Sequence, residues 1–210
     1  MTQIETLFVT RLYRAELAQR APGKRLNDEL AAAAISIAAD DAAGQAWCAA
    51  NGYRGYTSYA SLDDLQWRAP AFADLVAAID PHVADFARAA EFDLGRRKLV
   101  ADSIWINVLE PGGFHTAHIH PHAVVSGTYY VEVPDGAGAI RFEDPRLPMM
   151  MAAPPRRPKA PRDAQSFVSV APKAGTLLLW ESWLRHEVPM NNAETERISV
   201  SFNYRLDERT

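Results

Sequence analysis

From about residue 99 onward, apolar residues come in short runs with a period of two, and Pro, Gly and Asp separate the runs. Successive side chains of a strand face opposite ways, so the pattern predicts eight strands, at 99–109, 115–120, 126–133, 139–142, 166–170, 176–180, 185–188 and 196–205. Eight short strands suggest two facing sheets whose open mouth holds a small ligand. The first 98 residues read differently. Leu26, Leu30, Ala34, Ile37 and Ala38 recur at helical spacing, with Asn27 as the expected cap and Asp28 and Glu29 suited to the positive end of the helix dipole. Phe72, Leu75, Val76, Ile79, Val83, Phe86 and Ala90 form a second stripe, in which Pro81 implies a kink or two abutting helices. A weak alternation from Leu7 to Tyr13 suggests a strand, and the Gly- and Tyr-rich stretch Asn51 to Tyr59 reads as an ordered loop at the mouth of a site. The expected fold is α+β, mainly β: a double-stranded β-helix (jelly roll, cupin-like) core over 99–206, with helices from residues 1–98 packed outside.

Composition narrows the setting. At 210 residues and 48% hydrophobic, the chain suffices for one well-cored domain, 1–210, and is short for two. A net charge of −4 offers no footprint for nucleic acid, so that partner is not expected. The lone Cys48 rules out an internal disulfide and fits a reducing compartment; in its Ala-rich helical stretch it reads as a small buried apolar residue. No apolar run approaches the ~20 residues that span a bilayer, and the N-terminus lacks signal-peptide order, so a cytoplasmic protein without membrane contact is expected. Exposed strand edges pair readily, which makes a homodimer an expectation. Residues 145–165 carry six prolines, the triplet Met149 to Met151 and a local basic excess; they read as an insertion that acts either as a lid or as a solvated flap.

The chemistry concentrates in Gly112-Gly113-Phe114-His115-Thr116-Ala117-His118-Ile119-His120-Pro121-His122, answered far along the chain by His186 and then by Arg197-Ile198-Ser199. On a strand, His118 and His120 point the same way and can share one metal ion, with His186 as the third ligand from a distant strand. His120 with His122 is the alternative pair. Three neutral imidazoles suit tetrahedral Zn²⁺ with an open water position, hence a zinc hydrolase or lyase. A cupin-like metal-binding module is a second possibility, although Val124 and Val125 stand where the cupin motif needs its glutamate. Glu143-Asp144 reads as a turn before Pro145, not as an acidic ligand. Trp180 and Trp183 read as apolar walls for the pocket or as core packing.

A third possibility rests on resemblance. Gly175 to Pro189 looks like the stretch that carries the last iron ligand of the 2-oxoglutarate/Fe(II) oxygenase superfamily, with His186 in the ligand's place, and Arg197-Ile198-Ser199 resembles the Arg-x-Ser that binds the far carboxylate of 2-oxoglutarate. His-x-His-Pro followed by Ser126-Gly127-x-Tyr129-Tyr130 resembles a bacterial and phage branch of that superfamily. The usual His-x-Asp or His-x-Glu is His118-x-His120 here, which leaves the metal one unit more positive. The resemblance implies Fe(II) held by His118, His120 and His186, with 2-oxoglutarate as cosubstrate anchored by Arg197 and Ser199. It also implies hydroxylation of a small molecule or protein side chain, with release of succinate and CO2. Asn107, on a strand face with Trp105, and Tyr129 or Tyr130 are the further candidates for holding the cosubstrate; the two tyrosines alternate faces, so one of them lines the pocket, and Tyr129 is taken as that one.

Overall fold

The structure, a computed structural model, describes residues 2–19, 21–146 and 149–208. In chain order its elements are β1 (Leu12–Glu16), α1 (Ala21–Asp40), α2 (Ala42–Ala50), β2 (Gly55–Thr57), α3 (Leu65–Arg68), α4 (Pro70–Ala89), β3 (Leu99–Leu109), β4 (His115–His118) and β5 (Val125–Glu132). There follow β6 (Ile140–Glu143), α5 (Met149–Ala152), a 3₁₀ turn at Arg162–Ala164, β7 (Phe167–Val170), β8 (Thr176–Glu181), β9 (His186–Val188) and β10 (Arg197–Leu206).

The strands form two antiparallel sheets, one of six strands in the order β1-β8-β5-β10-β3-β2 and one of four in the order β4-β9-β6-β7. Alternation divides the large sheet into two faces. Ile198, Val200, Phe202 and Tyr204 of β10, with Ile104, Ile106, Val125, Tyr129, Leu177 and Leu179, pack against Leu30 and Ala34 of α1 and Phe72, Leu75, Ile79, Val83 and Phe86 of α4. The opposite face sends Tyr130, Leu178 and Trp180 to meet Ile140, Phe142 and Val170 of the small sheet in a second core. Helices outside, a two-sheet core within: this is the double-stranded β-helix arrangement that the strand pattern predicts. Among the described residues no helix is long and apolar enough to cross a membrane.

Three expectations in the N-terminal part need correction. The first strand begins at Leu12, not Leu7: Leu12 already meets Trp180, one residue from the end of β8, so residues 7–10 have no ladder to join and lie exposed. Asn27 does not cap α1, which starts six positions earlier at Ala21, where Pro22 loses nothing because a first-turn N–H has no helical acceptor. Its side chain instead ties α1 to β5, accepting from the Tyr129 hydroxyl at 3.0 Å and donating to the Val131 carbonyl at 3.2 Å. Pro81 neither ends nor splits α4, which runs through it; the proline sits on the exposed side while the buried stripe from Phe72 to Phe86 holds the helix to the sheet.

The loop read from Asn51 to Tyr59 contains β2, which pairs with β3 and brings Thr57 opposite Asn107. The insertion at 145–165 is not wholly irregular, since it holds α5 and the 3₁₀ turn. The side chains of Met149 and Met150, expected at a lid, lie outside the described ones, and Met151 is exposed.

Candidate metal centre

A small cavity of about 50 Å³ opens between the sheets. The small sheet and the segment after it contribute His115, His118, His120 and His186; the large sheet contributes Thr128, Tyr130, Arg197, Ser199 and Ser201; Trp105 and Trp180 wall it. Strand pairing explains the histidines. His118 and His186 stand opposite each other in the β4–β9 ladder, and β9 is held on its other side by β6, where His186 meets Phe142. β4 ends at His118, two residues short of the expected 115–120 strand, and His120 is fixed by its own N–H donating to the Ser182 carbonyl at 3.0 Å.

One nitrogen from each of His118, His120 and His186 lies within 4.8 Å of the others. Two of the rings are locked in orientation. Nδ1 of His186 faces the Leu184 carbonyl at 2.9 Å and Nδ1 of His118 faces the Thr116 carbonyl at 2.6 Å; a carbonyl only accepts, so Nδ1 carries the proton and Nε2 turns its lone pair to the centre. Nε2 of His120 and Nε2 of His186 are 3.3 Å apart, a separation that two ligands ~2.1 Å from one ion adopt at an angle of about 100°. Burial, with the neighbouring His118, lowers the His120 pKa to about 4 and that of His186 to about 3, so both imidazoles are neutral and able to bind metal at ordinary pH. His122 is exposed at φ 70° and takes no part in the group. No carboxylate of a described residue joins it either: Glu143 pairs with Arg185 at 2.9 Å and Asp144 with Arg146 at 2.7 Å.

Arg197 is 3% exposed, its Nε has no hydrogen-bond partner, and no ion pair among the described residues involves it. Its guanidinium lies over the Tyr130 ring, Cζ 4.9 Å from the centroid, and the Tyr130 hydroxyl is likewise buried without a partner. An unpaired buried cation and two unmet donors, one wall apart from three imidazoles, describe a place for an anion. The residues present therefore fit a metal ion with a carboxylate-bearing ligand beside it.

Two expected cosubstrate contacts are placed elsewhere. Tyr129 faces the helices, its hydroxyl spent on Asn27, and strand alternation gives the cavity to Tyr130. Asn107 is 3% exposed and does not line the cavity; it accepts from the Thr57 hydroxyl at 3.0 Å and donates to the Ser201 hydroxyl at 3.1 Å, thereby orienting a cavity residue from behind. Trp180, 4.7 Å from the His186 ring, is a cavity wall, whereas Trp183 is half exposed and donates to Glu181. His115 had no expected role. It stands three residues before His118, a spacing that strict alternation assigns to the opposite face, but a bulge in the β4–β9 register turns both inward.

A family model described as "Putative 2OG-Fe(II) oxygenase" matches residues 103–203. No curated protein matches the sequence. Among solved structures, a prolyl-4-hydroxylase from Pseudomonas putida superposes with a TM-score of 0.59 at 19% identity, covering 93% of this chain and 92% of its own. The non-heme α-ketoglutarate-dependent epimerase SnoN of nogalamycin biosynthesis gives 0.61 at 15% identity, over 93% of this chain and 76% of its own. A prolyl hydroxylase from Trichoplax adhaerens, solved with a hypoxia-inducible-factor peptide, gives 0.57 at 14% identity, over 92% and 82%. At such identities the superpositions establish the shared fold.

Proposed function

We propose, from the cavity's geometry and the 2-oxoglutarate/Fe(II) oxygenase family model that matches residues 103–203, that this chain is a dioxygenase that hydroxylates a C–H bond of a small molecule or a protein side chain. His118, His120 and His186 hold Fe(II), and Arg197, Ser199 and Tyr130 receive the far carboxylate of 2-oxoglutarate. The observation that carries the reading is Arg197: a guanidinium buried in the same cavity as three imidazoles, with no ion pair to a carboxylate among the described residues. A guanidinium left so in the folded state is costly, and a dicarboxylate supplies the missing charge and the acceptor for its Nε.

When bound, Fe(II) and 2-oxoglutarate supply dioxygen activation, in which one oxygen atom enters succinate as CO2 leaves and the other enters the substrate C–H bond. The protein's part is positional. Leu184 and Thr116 carbonyls hold two imidazoles in the ligating tautomer. Trp105 and Trp180 line the cavity with apolar surface that limits water. The three imidazoles bring no charge to the metal, so the chelating carboxylate of 2-oxoglutarate offsets one of its two positive charges while the far carboxylate offsets that of Arg197.

Anaerobic titration of metal-free protein with Fe(II) and then 2-oxoglutarate tests this. Chelation through the keto-acid end is expected to give a weak visible charge-transfer band, absent in Arg197→Ala at the same concentrations. Tight stoichiometric zinc with no band in the wild type would instead favour hydrolytic chemistry at the three histidines.

A further inference from the structure

The cavity contains a fourth histidine whose attachment is the reverse of the others. His118 and His186 are anchored through Nδ1 and present Nε2. His115 is anchored through Nε2, which lies 2.7 Å from the Tyr53 hydroxyl, and its Nδ1 makes no hydrogen bond to a described residue. It is not part of the metal-binding group, yet it lines the same cavity as Arg197 and Ser199.

The proton in the Tyr53–His115 bond can be assigned from chemistry. A phenol is a stronger hydrogen-bond donor than an imidazole N–H, and an imidazole nitrogen is a better acceptor than a phenol oxygen, so the hydroxyl donates to Nε2. The other nitrogen must then carry the ring's proton. His115 thus carries a neutral Nδ1–H, without a partner among the described residues, in the cavity that also holds the guanidinium. Its environment keeps it neutral: burial, then the charge of Arg197, then His118 lower its pKa to about 3. A cationic ring here would repel Arg197, whereas a neutral donor adds to it.

Resting on the oxygenase reading, we propose that His115, held in place by Tyr53, is a specificity-determining donor to the far carboxylate of the 2-oxoacid cosubstrate, acting beside Arg197. Tyr53 is the positioning residue of the pair. It lies in the turn between α2 and β2, outside the family-matched segment 103–203, so the N-terminal part of the chain takes a share in choosing the cosubstrate.

The test compares 2-oxoglutarate with 2-oxovalerate, which keeps the keto-acid chelate and the chain length but replaces the far carboxylate with a methyl group. Dissociation constants are read anaerobically from the charge-transfer band of the Fe(II) protein, so turnover is not needed. In Tyr53→Phe and in His115→Gln the constant for 2-oxoglutarate is expected to rise at least about tenfold, the loss of one hydrogen bond to a charged group, while that for 2-oxovalerate stays within twofold. Stoichiometric Fe(II) binding by each variant reports that the site is still folded. Equal weakening for both acids, or no change for either, overturns the assignment, because a structural or metal-directed role does not sense the far carboxylate. Absence of the band in the wild type overturns the oxygenase reading itself and this proposal with it.

Discussion

Tyr130 and Arg197 share one wall of the cavity and one deficit: each holds a buried polar atom with no hydrogen-bond partner among the described residues. A buried hydroxyl left unbonded costs about 1–3 kcal/mol in desolvation, so Tyr130→Phe has two opposite consequences. The metal-free protein is expected to melt at a slightly higher temperature, by about 1 kcal/mol of added stability, while 2-oxoglutarate binds more weakly. A calorimetric melt beside a binding titration separates the two effects, and a variant that loses stability and keeps its affinity would contradict them. At this scale the sequence was partly legible. Arg197 and Ser199 could be picked out because they follow His186 at a recognisable distance and alternate with apolar residues. Tyr129 and Tyr130 could not be told apart: alternation says that one of two adjacent residues faces inward but not which, and only the packing of Tyr129 against Asn27 decides.

Among elements, β5 shows how closely the sheet is fitted. Gly127 stands opposite Phe202 in the ladder with β10, and a Cβ there would lie 2.5 Å from the Phe202 ring and 2.6 Å from the Leu178 carbonyl. Gly127→Ala is therefore expected to destabilise the protein by about 1–3 kcal/mol through overpacking. A lower urea midpoint with an unchanged m-value would show it, and an unaltered midpoint would mean that the strand relaxes freely. The C-terminal strands were legible to within two residues because turns bound them and one face of each is apolar. β1 was misplaced because an edge strand needs a partner more than a pattern, and α4 survives Pro81 because tertiary packing outweighs the lost hydrogen bond. The β4 bulge left no trace in composition, so the inward turn of His115 was out of reach.

For the whole molecule, the buried histidines make stability depend on pH. His115, His120 and His186 have folded pKa values of about 3, 4 and 3, each lowered chiefly by burial, against ~6.5 in an unfolded chain. The unfolded state therefore binds protons first: their contribution to stability is complete above about pH 6.5 and is lost as pH falls toward 4. Unfolding of the metal-free protein near pH 5 should take up about three protons, and its urea midpoint should fall as pH drops from about 6.5 to 5; a flat profile would contradict the burial of neutral rings. By itself the sequence determined the β-rich C-terminal half and the helices before it, and offered the residue types of a candidate metal centre. These depend on local periodicity and on donor chemistry, which one chain segment carries alone. Only the tertiary structure decided that His120 and not His122 closes the triad, that Tyr130 replaces Tyr129, that Asn107 works from behind Ser201, and that Tyr53 reaches His115 from the other half of the chain. Each depends on which strand lies opposite which, and that is set by the packing of two sheets and their helices together, not by any stretch of sequence alone.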